Sequence, residues 1–158
     1  SLIYISSLKD TVSVSQGPES APAIYVLFDP SCPHCQKEYQ GLQPLINGGG
    51  VRVHWIPVIS VSRPPYRAVQ VMADTEVSNS VRADRLDQMM SGKSPSSWPR
   101  QVGSQSMQNI LKTNTALLGM LERPATPQLF YRLADGNVRH FSGYSPKILG
   151  RIRSDLGL

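Results

Sequence analysis

The sequence predicts an α/β fold from three features that follow one another along the chain. Residues 23–28, "AIYVLF", form a nearly continuous apolar run with β-branched and aromatic members, which is typical of a central strand buried on both faces. A helix-like segment at 36–46 and a strand-like run at 51–59 complete a strand–helix–strand unit of about 37 residues. We expect its two strands to be parallel, with a right-handed crossover. A β-hairpin and a helix are predicted at the C-terminal end.

The remaining elements are placed by periodicity and by turn residues. Residues 1–22 predict one or two opening strands and a polar connector, "SQGPESAP". Between 64 and 122 the strand signal disappears and apolar residues recur at helical spacing, which predicts a helical insertion containing a loop at 91–99 and one or two helices after it. The periodic apolar positions at the start of the insertion are Val69, Met72, Ala73, Leu86, Met89 and Met90.

The last 31 residues predict a hairpin followed by a helix. Strand-like runs at 128–133 and 137–141 flank Asp135-Gly136, a strong turn signal. The closing helix is expected to have Ser145 as its N-cap and Pro146 at its first position. The predicted organisation is thus an N-terminal segment or linker, 1–22, and a single domain, 23–158, with a helical insert at about 64–122.

Composition excludes two functional classes. The chain of 158 residues has a formal charge of +5, but its Lys and Arg residues are scattered singly, which favours a solvated surface over a nucleic-acid interface. No apolar run approaches the roughly 18 residues of a membrane span, so we expect the chain not to span a membrane itself.

The two cysteines, Cys32 and Cys35, lie in "FDPSCPHC", where the first strand passes into the first helix. A structural zinc site is disfavoured because a Cys-x-x-Cys pair supplies only two of four ligands and no second pair exists. A purely structural disulfide is also disfavoured, since closing so short a loop removes little entropy from the unfolded chain. Two inert thiols in the core are disfavoured, because Pro33 and His34 between them fit poorly with a buried apolar helix start. The remaining interpretation of the cysteine pair is redox chemistry.

Redox chemistry gives each residue of the motif a role. Cys32 at the helix start is the predicted nucleophile, because unsatisfied backbone N–H groups and the helix dipole favour its thiolate. His34 is expected to add stabilisation of that anion, and Pro33 to fix the backbone without removing a helical donor. Cys35, one turn deeper, is the predicted resolving thiol. A stabilised thiolate makes the disulfide oxidising.

Residues 18–156 resemble the catalytic domain of the bacterial periplasmic thiol–disulfide isomerases of the DsbC/DsbG type, members of the thioredoxin superfamily. The motifs that carry this resemblance are "IYVLFDPSCPHC", "MMSGKSP", "ATPQLF" and "GYSP". The resemblance implies a thioredoxin fold with a helical insertion, and a cis bond between Thr126 and Pro127 facing the dithiol. It also implies that the Thr126 backbone pairs with substrate as an added strand, and that Pro127 keeps metals off the dithiol.

The family likeness further implies a periplasmic location, unfolded or misoxidised exported proteins as clients, and a membrane redox partner that resets the dithiol. No organic cofactor or metal is implied, since the dithiol itself carries the electrons. Family isomerases have an N-terminal dimerisation domain, for which residues 1–22 are too short. We therefore expect either a catalytic domain trimmed from a dimer or a shorter monomeric branch of the kind found in conjugation systems.

The sequence departs from its relatives at the dipeptide between the cysteines and at the position where thioredoxins have a buried acid. Pro33-His34 is the dipeptide typical of DsbA-type oxidases, so a net disulfide oxidase is an alternative to an isomerase or reductase. Thioredoxins have a buried Asp six residues before the first cysteine, where this chain has Val26. Asp29 is interpreted as a helix-entry cap. Two non-enzymatic alternatives are a chaperone-like binding module and a copper carrier using both thiolates.

Overall fold

A five-stranded sheet with helices on both faces forms the framework of the protein. The computed structural model describes residues 2–59, 66–72, 77–93 and 103–158. In chain order the described elements are α1 (Leu2–Lys9), β1 (Val14–Gln16), β2 (Ala23–Phe28), α2 (Pro33–Asn47), β3 (Arg52–Pro57), α3 (Tyr66–Met72), α4 (Asn79–Met90), α5 (Gln105–Gly119), β4 (Gln128–Arg132), β5 (Val138–Ser142) and α6 (Lys147–Leu156).

The sheet has the strand order β1-β3-β2-β4-β5, so β2 is central. β2 and β3 are parallel, with Ala23 opposite Arg52, which confirms the predicted strand–helix–strand unit. β4 is antiparallel to β2 on the other side, and β4 and β5 form the predicted antiparallel hairpin. The α/β prediction is confirmed, and the helical insertion lies between β3 and β4 as expected.

Side chains of the central strands alternate between two cores. On one face Val26, Phe28 and Trp55 pack with the buried side of α2 and with α6. On the other face Tyr25 and Leu27 pack with α1 and the end of α5. Because β2 is covered on both faces, its sequence is apolar throughout, and the first turn of α2 is held rigidly at the carboxyl end of this strand.

Polar contacts of α4 help to tie the helical insertion to the rest of the fold. The Tyr39 hydroxyl of α2 donates to Asp87 of α4 at 2.9 Å. The Asn79 amide at the start of α4 pairs with the backbone of Ser15 in β1, accepting from its N–H at 2.9 Å and donating to its carbonyl at 2.8 Å. The predicted positions at Pro64, Ala73 and most of the loop at 91–99, including the end of "MMSGKSP", lie outside the described residues.

Two predicted details were wrong. A helix, α1, precedes the predicted opening strand β1, because Tyr4, Ile5 and Leu8 lie on one helical face that packs against Tyr25 and Phe130. A short apolar run does not distinguish strand from helix by periodicity alone. The helix α6 has Pro146 rather than Ser145 at its N-cap position. The one or two helices predicted after the loop are a single helix, α5, in the described residues.

Candidate active site

The dithiol lies in the turn that joins the central strand to α2. Asp29 follows β2, and its carboxylate accepts a hydrogen bond from the Ser31 N–H at 2.8 Å while its carbonyl accepts from the Cys32 N–H at 2.9 Å. Asp29 therefore caps the turn that leads into the helix, rather than the helix itself. This turn fixes Cys32 as the N-cap residue of α2, with extended backbone angles (φ −84°, ψ 123°) and Pro33 directly after it.

The two thiols differ in exposure. Cys32 is half-buried, whereas Cys35, in the first turn of α2, is fully buried against the core. Pro33 and His34 between them are exposed. The geometry brings the four motif residues together as the sequence predicts: one sulfur reaches the surface and the second lies beneath it.

The environment shifts the pKa values of the two thiols in opposite directions. Hydrogen bonding from the Cys35 thiol, supported by the backbone N–H of Cys35, the Thr126 side chain and the backbone N–H of His34, lowers the pKa of Cys32 from 9.0 to about 5. Burial, and then the hydrogen bond to Cys32, raise the pKa of Cys35 far above its ordinary value. At neutral pH the site therefore holds one thiolate and one thiol.

His34 acts on this balance through its main chain. Its backbone N–H is one of the unpaired donors of the first helical turn and contributes to stabilising the Cys32 anion. Its imidazole is exposed. The stabilising role assigned to that ring from the sequence stays a prediction.

The loop before β4 faces the dithiol. The Thr126–Pro127 peptide bond is cis, and the Cys32 sulfur lies 3.8 Å from the Thr126 carbonyl oxygen. Buried Gln128 holds this loop, because its amide donates to the Ala125 carbonyl at 2.6 Å and to the Ser142 hydroxyl of β5 at 2.9 Å. Sequence reasoning missed Gln128, which lies within a run otherwise typical of a buried strand.

A second missed residue is Glu38, on the buried face of α2 three residues after Cys35. The side chain is fully buried, and neither carboxylate oxygen has a hydrogen-bond partner among the described residues. Burial, reinforced by the negative charge of Cys32, raises the pKa of Glu38 from 4.5 to about 8. The signal was present in the sequence: Glu38 is the acidic member of a helical stripe whose next turns are Leu42 and Leu45.

An open groove of about 770 Å³ runs beside the dithiol between α2, the end of α4 and Tyr144. Pro33, Gln36 and Lys37 line one wall, and Met90 and Gly92 line the opposite wall. The groove offers apolar and polar surface, with the charged Lys37 in one wall, next to the half-buried Cys32, and is suited to an extended peptide chain.

Within the described ranges no cluster of three or more metal-ligating side chains occurs. None of the helices in those ranges has the length and apolar character that crossing a bilayer requires.

Two thiol:disulfide interchange proteins are similar to this chain in sequence. The thiol:disulfide interchange protein DsbG of Escherichia coli (strain K12) is 25% identical over 130 residues, which cover 80% of this chain and 50% of that protein. DsbG of Pseudomonas aeruginosa is 23% identical over 138 residues, covering 86% and 52%. The chain thus spans about half the length of the curated relatives it matches. No protein-family model matches it.

Solved structures share the fold over almost the whole chain. A periplasmic thioredoxin-like protein from Salmonella enterica serovar Typhimurium superposes with a TM-score of 0.69 at 13% identity, covering 99% of this chain and 97% of that one. BcfH of the same organism gives 0.71 at 18% identity, with coverage of 99% and 79%. The catalytic domain of Proteus mirabilis ScsC gives 0.65 at 15% identity, with coverage of 99% and 96%. The thioredoxin fold implied by the sequence resemblance is confirmed.

Proposed function

We propose that this chain, a thioredoxin-like protein of the Dsb type, is a thiol–disulfide oxidoreductase that acts on exported proteins through Cys32 and Cys35. The observation that carries the proposal is the pair of unequal thiols. Cys32 is half-buried and has a pKa of about 5, and Cys35 is buried beneath it as the protonated partner. A thiolate at neutral pH is the species that attacks a disulfide.

The reaction proceeds in two exchanges. The Cys32 thiolate attacks one sulfur of a client disulfide, forms a mixed disulfide and releases the other client sulfur as a thiolate. The client then either rearranges and displaces Cys32, which is isomerisation, or Cys35 attacks Cys32 and the client leaves reduced. The Thr126 backbone, whose carbonyl lies 3.8 Å from the Cys32 sulfur, is suited to pair with the client strand beside that sulfur.

Among the possible activities we place isomerase or reductase first. The helical insertion, Thr126 beside Pro127, and the relationship to DsbG proteins support this choice. These relatives act in thiol–disulfide interchange according to their names. The periplasm as location, misoxidised exported proteins as clients, and a membrane redox partner that keeps the dithiol reduced belong to the same proposal.

A net disulfide oxidase is the second candidate, and a specific observation favours it. The low pKa of Cys32 stabilises the reduced form, which makes the disulfide a stronger oxidant. Equilibration with glutathione tests this oxidising character. A reduction potential near −120 mV supports it, and a value near −270 mV contradicts it.

A matched pair of variants tests the proposal itself. Cys32→Ser removes the nucleophile, and we expect disulfide reduction and reshuffling of a scrambled client protein to fall at least about a hundredfold. Cys35→Ser keeps the nucleophile and is expected to accumulate a mixed disulfide with the client, visible by mass spectrometry. Wild-type rates in Cys32→Ser, or no mixed disulfide in Cys35→Ser, contradict the proposal.

A further inference from the structure

Glu38 is a buried ionisable group that has no role in the reaction proposed above for Cys32 and Cys35. Its side chain has no solvent exposure, and in the part of the chain that the structure describes neither carboxylate oxygen has a hydrogen-bond partner. Folded proteins rarely retain such a group, because a buried polar atom without a partner is unfavourable. A carboxyl kept in this state beside a reactive pair is a candidate for a role in the reaction.

The position of Glu38 relative to the thiols is set by the helix. Residues three apart lie on the same face of an α-helix with Cβ atoms about 5–6 Å apart, so Glu38 is the next side chain below Cys35. Electrostatic coupling to Cys32 shows that the carboxyl also lies within the field of the outer sulfur. Glu38 is therefore near both sulfurs but shielded from solvent.

Tyr144, in the segment before α6, lies close to the part of α2 that contains the Glu38 carboxyl. A side chain in place of Gly41, one turn further along α2, would collide with the Tyr144 hydroxyl, so this ring lies directly on the helix face that Glu38 occupies. Burial and the charge of Glu38 raise the pKa of Tyr144. The absence of a side chain at position 41 allows the ring to close over the site.

Few other charges face Glu38. Within the described ranges the groups coupled to it electrostatically are Cys32 of α2 and Tyr144 before α6. From α4, the carboxylate of Asp87 is engaged by the Tyr39 hydroxyl. The sheet beneath α2 contributes the apolar side chain of Phe28 to the same core. Burial is the first cause of the raised pKa of Glu38, and the charge on Cys32 adds to it, so a change of that charge changes the pKa of the carboxyl.

We propose that Glu38 is the internal proton carrier of the dithiol: its carboxylate takes the proton that Cys35 must lose before it can attack the mixed disulfide. This inference rests on the function proposed above and assigns a residue to its second step. Sequence reasoning found no acid at the position where thioredoxins have one, Val26, and the structure supplies a carboxyl from the helix instead.

The first exchange prepares the acceptor. In the reduced protein the Cys32 thiolate carries the negative charge, and Glu38 and Cys35 are protonated. When Cys32 attacks a client disulfide, the negative charge leaves the site on the first client sulfur. Since the Cys32 thiolate no longer opposes ionisation, Glu38 then releases its proton, which the client thiolate takes up. One negative charge is thereby restored to the site, now on the Glu38 carboxylate.

The second exchange uses that carboxylate. The Cys35 S–H bond breaks and its proton moves to Glu38. The Cys35 thiolate attacks the Cys32 sulfur, the Cys32–client bond breaks, and the Cys32–Cys35 disulfide forms. The second client sulfur leaves as a thiolate and takes a proton from solvent. Two electrons pass from the dithiol to the client disulfide, and the client gains two thiols.

Stopped-flow kinetics on three proteins test the assignment. Glu38→Gln preserves shape but cannot accept a proton, and Glu19→Gln, at an exposed site, is the matched control. With a client disulfide in excess at pH 7, we expect Glu38→Gln to form the mixed disulfide within about twofold of the wild-type rate and to resolve it at least about tenfold more slowly, since a positioned base contributes at least this much. Glu19→Gln is expected to match wild type in both steps.

The outcomes separate this inference from the proposed function. If wild type forms and resolves the mixed disulfide but Glu38→Gln resolves it equally fast, the assignment of Glu38 is overturned and the proposed function stands. If wild type forms no mixed disulfide, the proposed function fails first.

A measurement on the wild-type protein covers the case in which Glu38→Gln does not fold. Infrared spectroscopy follows the carboxyl C=O band of Glu38 against pH in the reduced and the disulfide forms. We expect the pKa of Glu38 to be lower in the disulfide form, because the Cys32 charge is absent there. Equal pKa values in the two forms overturn the inference.

Discussion

Glu38 and Tyr39 are neighbouring buried residues on α2, and the surroundings of their polar groups differ completely. The Tyr39 hydroxyl donates to Asp87 at 2.9 Å and accepts from the Gln16 side-chain amide at 2.9 Å. The side-chain oxygen of Gln16 in turn accepts from the Trp55 indole N–H at 3.0 Å. The Glu38 carboxyl has no such partner in the described ranges. The hydrogen bonds among Tyr39, Asp87, Gln16 and Trp55, the Tyr39 network, link α2, β1, β3 and α4. The Glu38 carboxyl forms no such link among the described residues.

This difference separates polar groups that stabilise the fold from those available for chemistry. A fully bonded buried hydroxyl favours a single arrangement of the elements around it. An unpaired buried carboxyl opposes folding and retains a pKa that its neighbours can move. Four predictions test this distinction, from the largest expected effect to the smallest.

Tyr39→Ala is expected to lower the free energy of unfolding by about 3–5 kcal/mol, because a fully buried ring and its bonds are lost together. Denaturant unfolding measures the change. Tyr39→Phe keeps the ring, and we expect it to cost about 1–2 kcal/mol for the lost hydroxyl bonds. If Tyr39→Ala cost less than about 1 kcal/mol, the network would not be structural.

Glu38→Leu is expected to change stability in the opposite direction. Replacing an unpaired buried carboxyl by an apolar side chain of similar size should raise the free energy of unfolding at pH 8 by about 1–3 kcal/mol. Glu19→Leu at an exposed position is the control and should shift it by less than about 0.5 kcal/mol. A loss of stability in Glu38→Leu would mean that Glu38 has a structural partner.

The pH profile of stability should reveal the opposite pKa shifts of Glu38 and Cys32. The lowered pKa of Cys32 gives a stabilising contribution that is complete above pH 9 and lost as the pH falls towards 5. The raised pKa of Glu38 gives one that is complete below pH 4.5 and lost as the pH rises through 8. Between pH 5 and 8 these contributions oppose each other in the reduced protein.

Glu38→Gln removes one of the two opposing contributions. We expect the stability of the reduced variant, relative to wild type, to rise from pH 5 to pH 8, because the variant lacks the contribution that wild type loses when buried Glu38 ionises. Cys32→Ser is the complementary control, whose stability should fall over the same interval. Parallel profiles for wild type and Glu38→Gln would contradict the raised pKa of Glu38.

Asp29→Ala is expected to have the smallest effect. Asp29 lies three residues before Cys32, as Glu38 lies three residues after Cys35, but the Asp29 carboxylate accepts a hydrogen bond from the Ser31 N–H. We expect a loss of about 1 kcal/mol in the free energy of unfolding, as for a capping residue, with the rate of mixed disulfide formation changed less than about threefold. A much larger loss of rate would indicate that Asp29 takes part in the proton transfer.

The parts of the fold that could be predicted from sequence are those in which local pattern and tertiary burial agree. The apolar run of β2, the dithiol turn and the hairpin around Asp135-Gly136 each have a strong local signal, and each is present in the structure. The helix α1 lacked such a signal. Its apolar residues are defined by packing against Tyr25 and Phe130, which lie far away in sequence.

The site could be predicted only as far as its motif. Cys32 and Cys35 are identified by spacing, and their unequal exposure follows from the start of a helix. The functions of Gln128 and Glu38 depend on what surrounds them in three dimensions. A polar residue in an apolar stripe is recognisable in the sequence as unusual. Only its contacts in the structure distinguish a hydrogen-bonded residue such as Gln128 from an unpaired acid such as Glu38.

The Asn79 amide has a consequence for how this protein meets other chains. By bonding to both the N–H and the carbonyl of Ser15, it stands where a sixth strand would dock on the β1 border of the sheet. Unprotected borders of this kind are where misfolding polypeptides zip together into aggregates. Asn79 thereby closes one border of the sheet to strand addition, while β5 forms the opposite border.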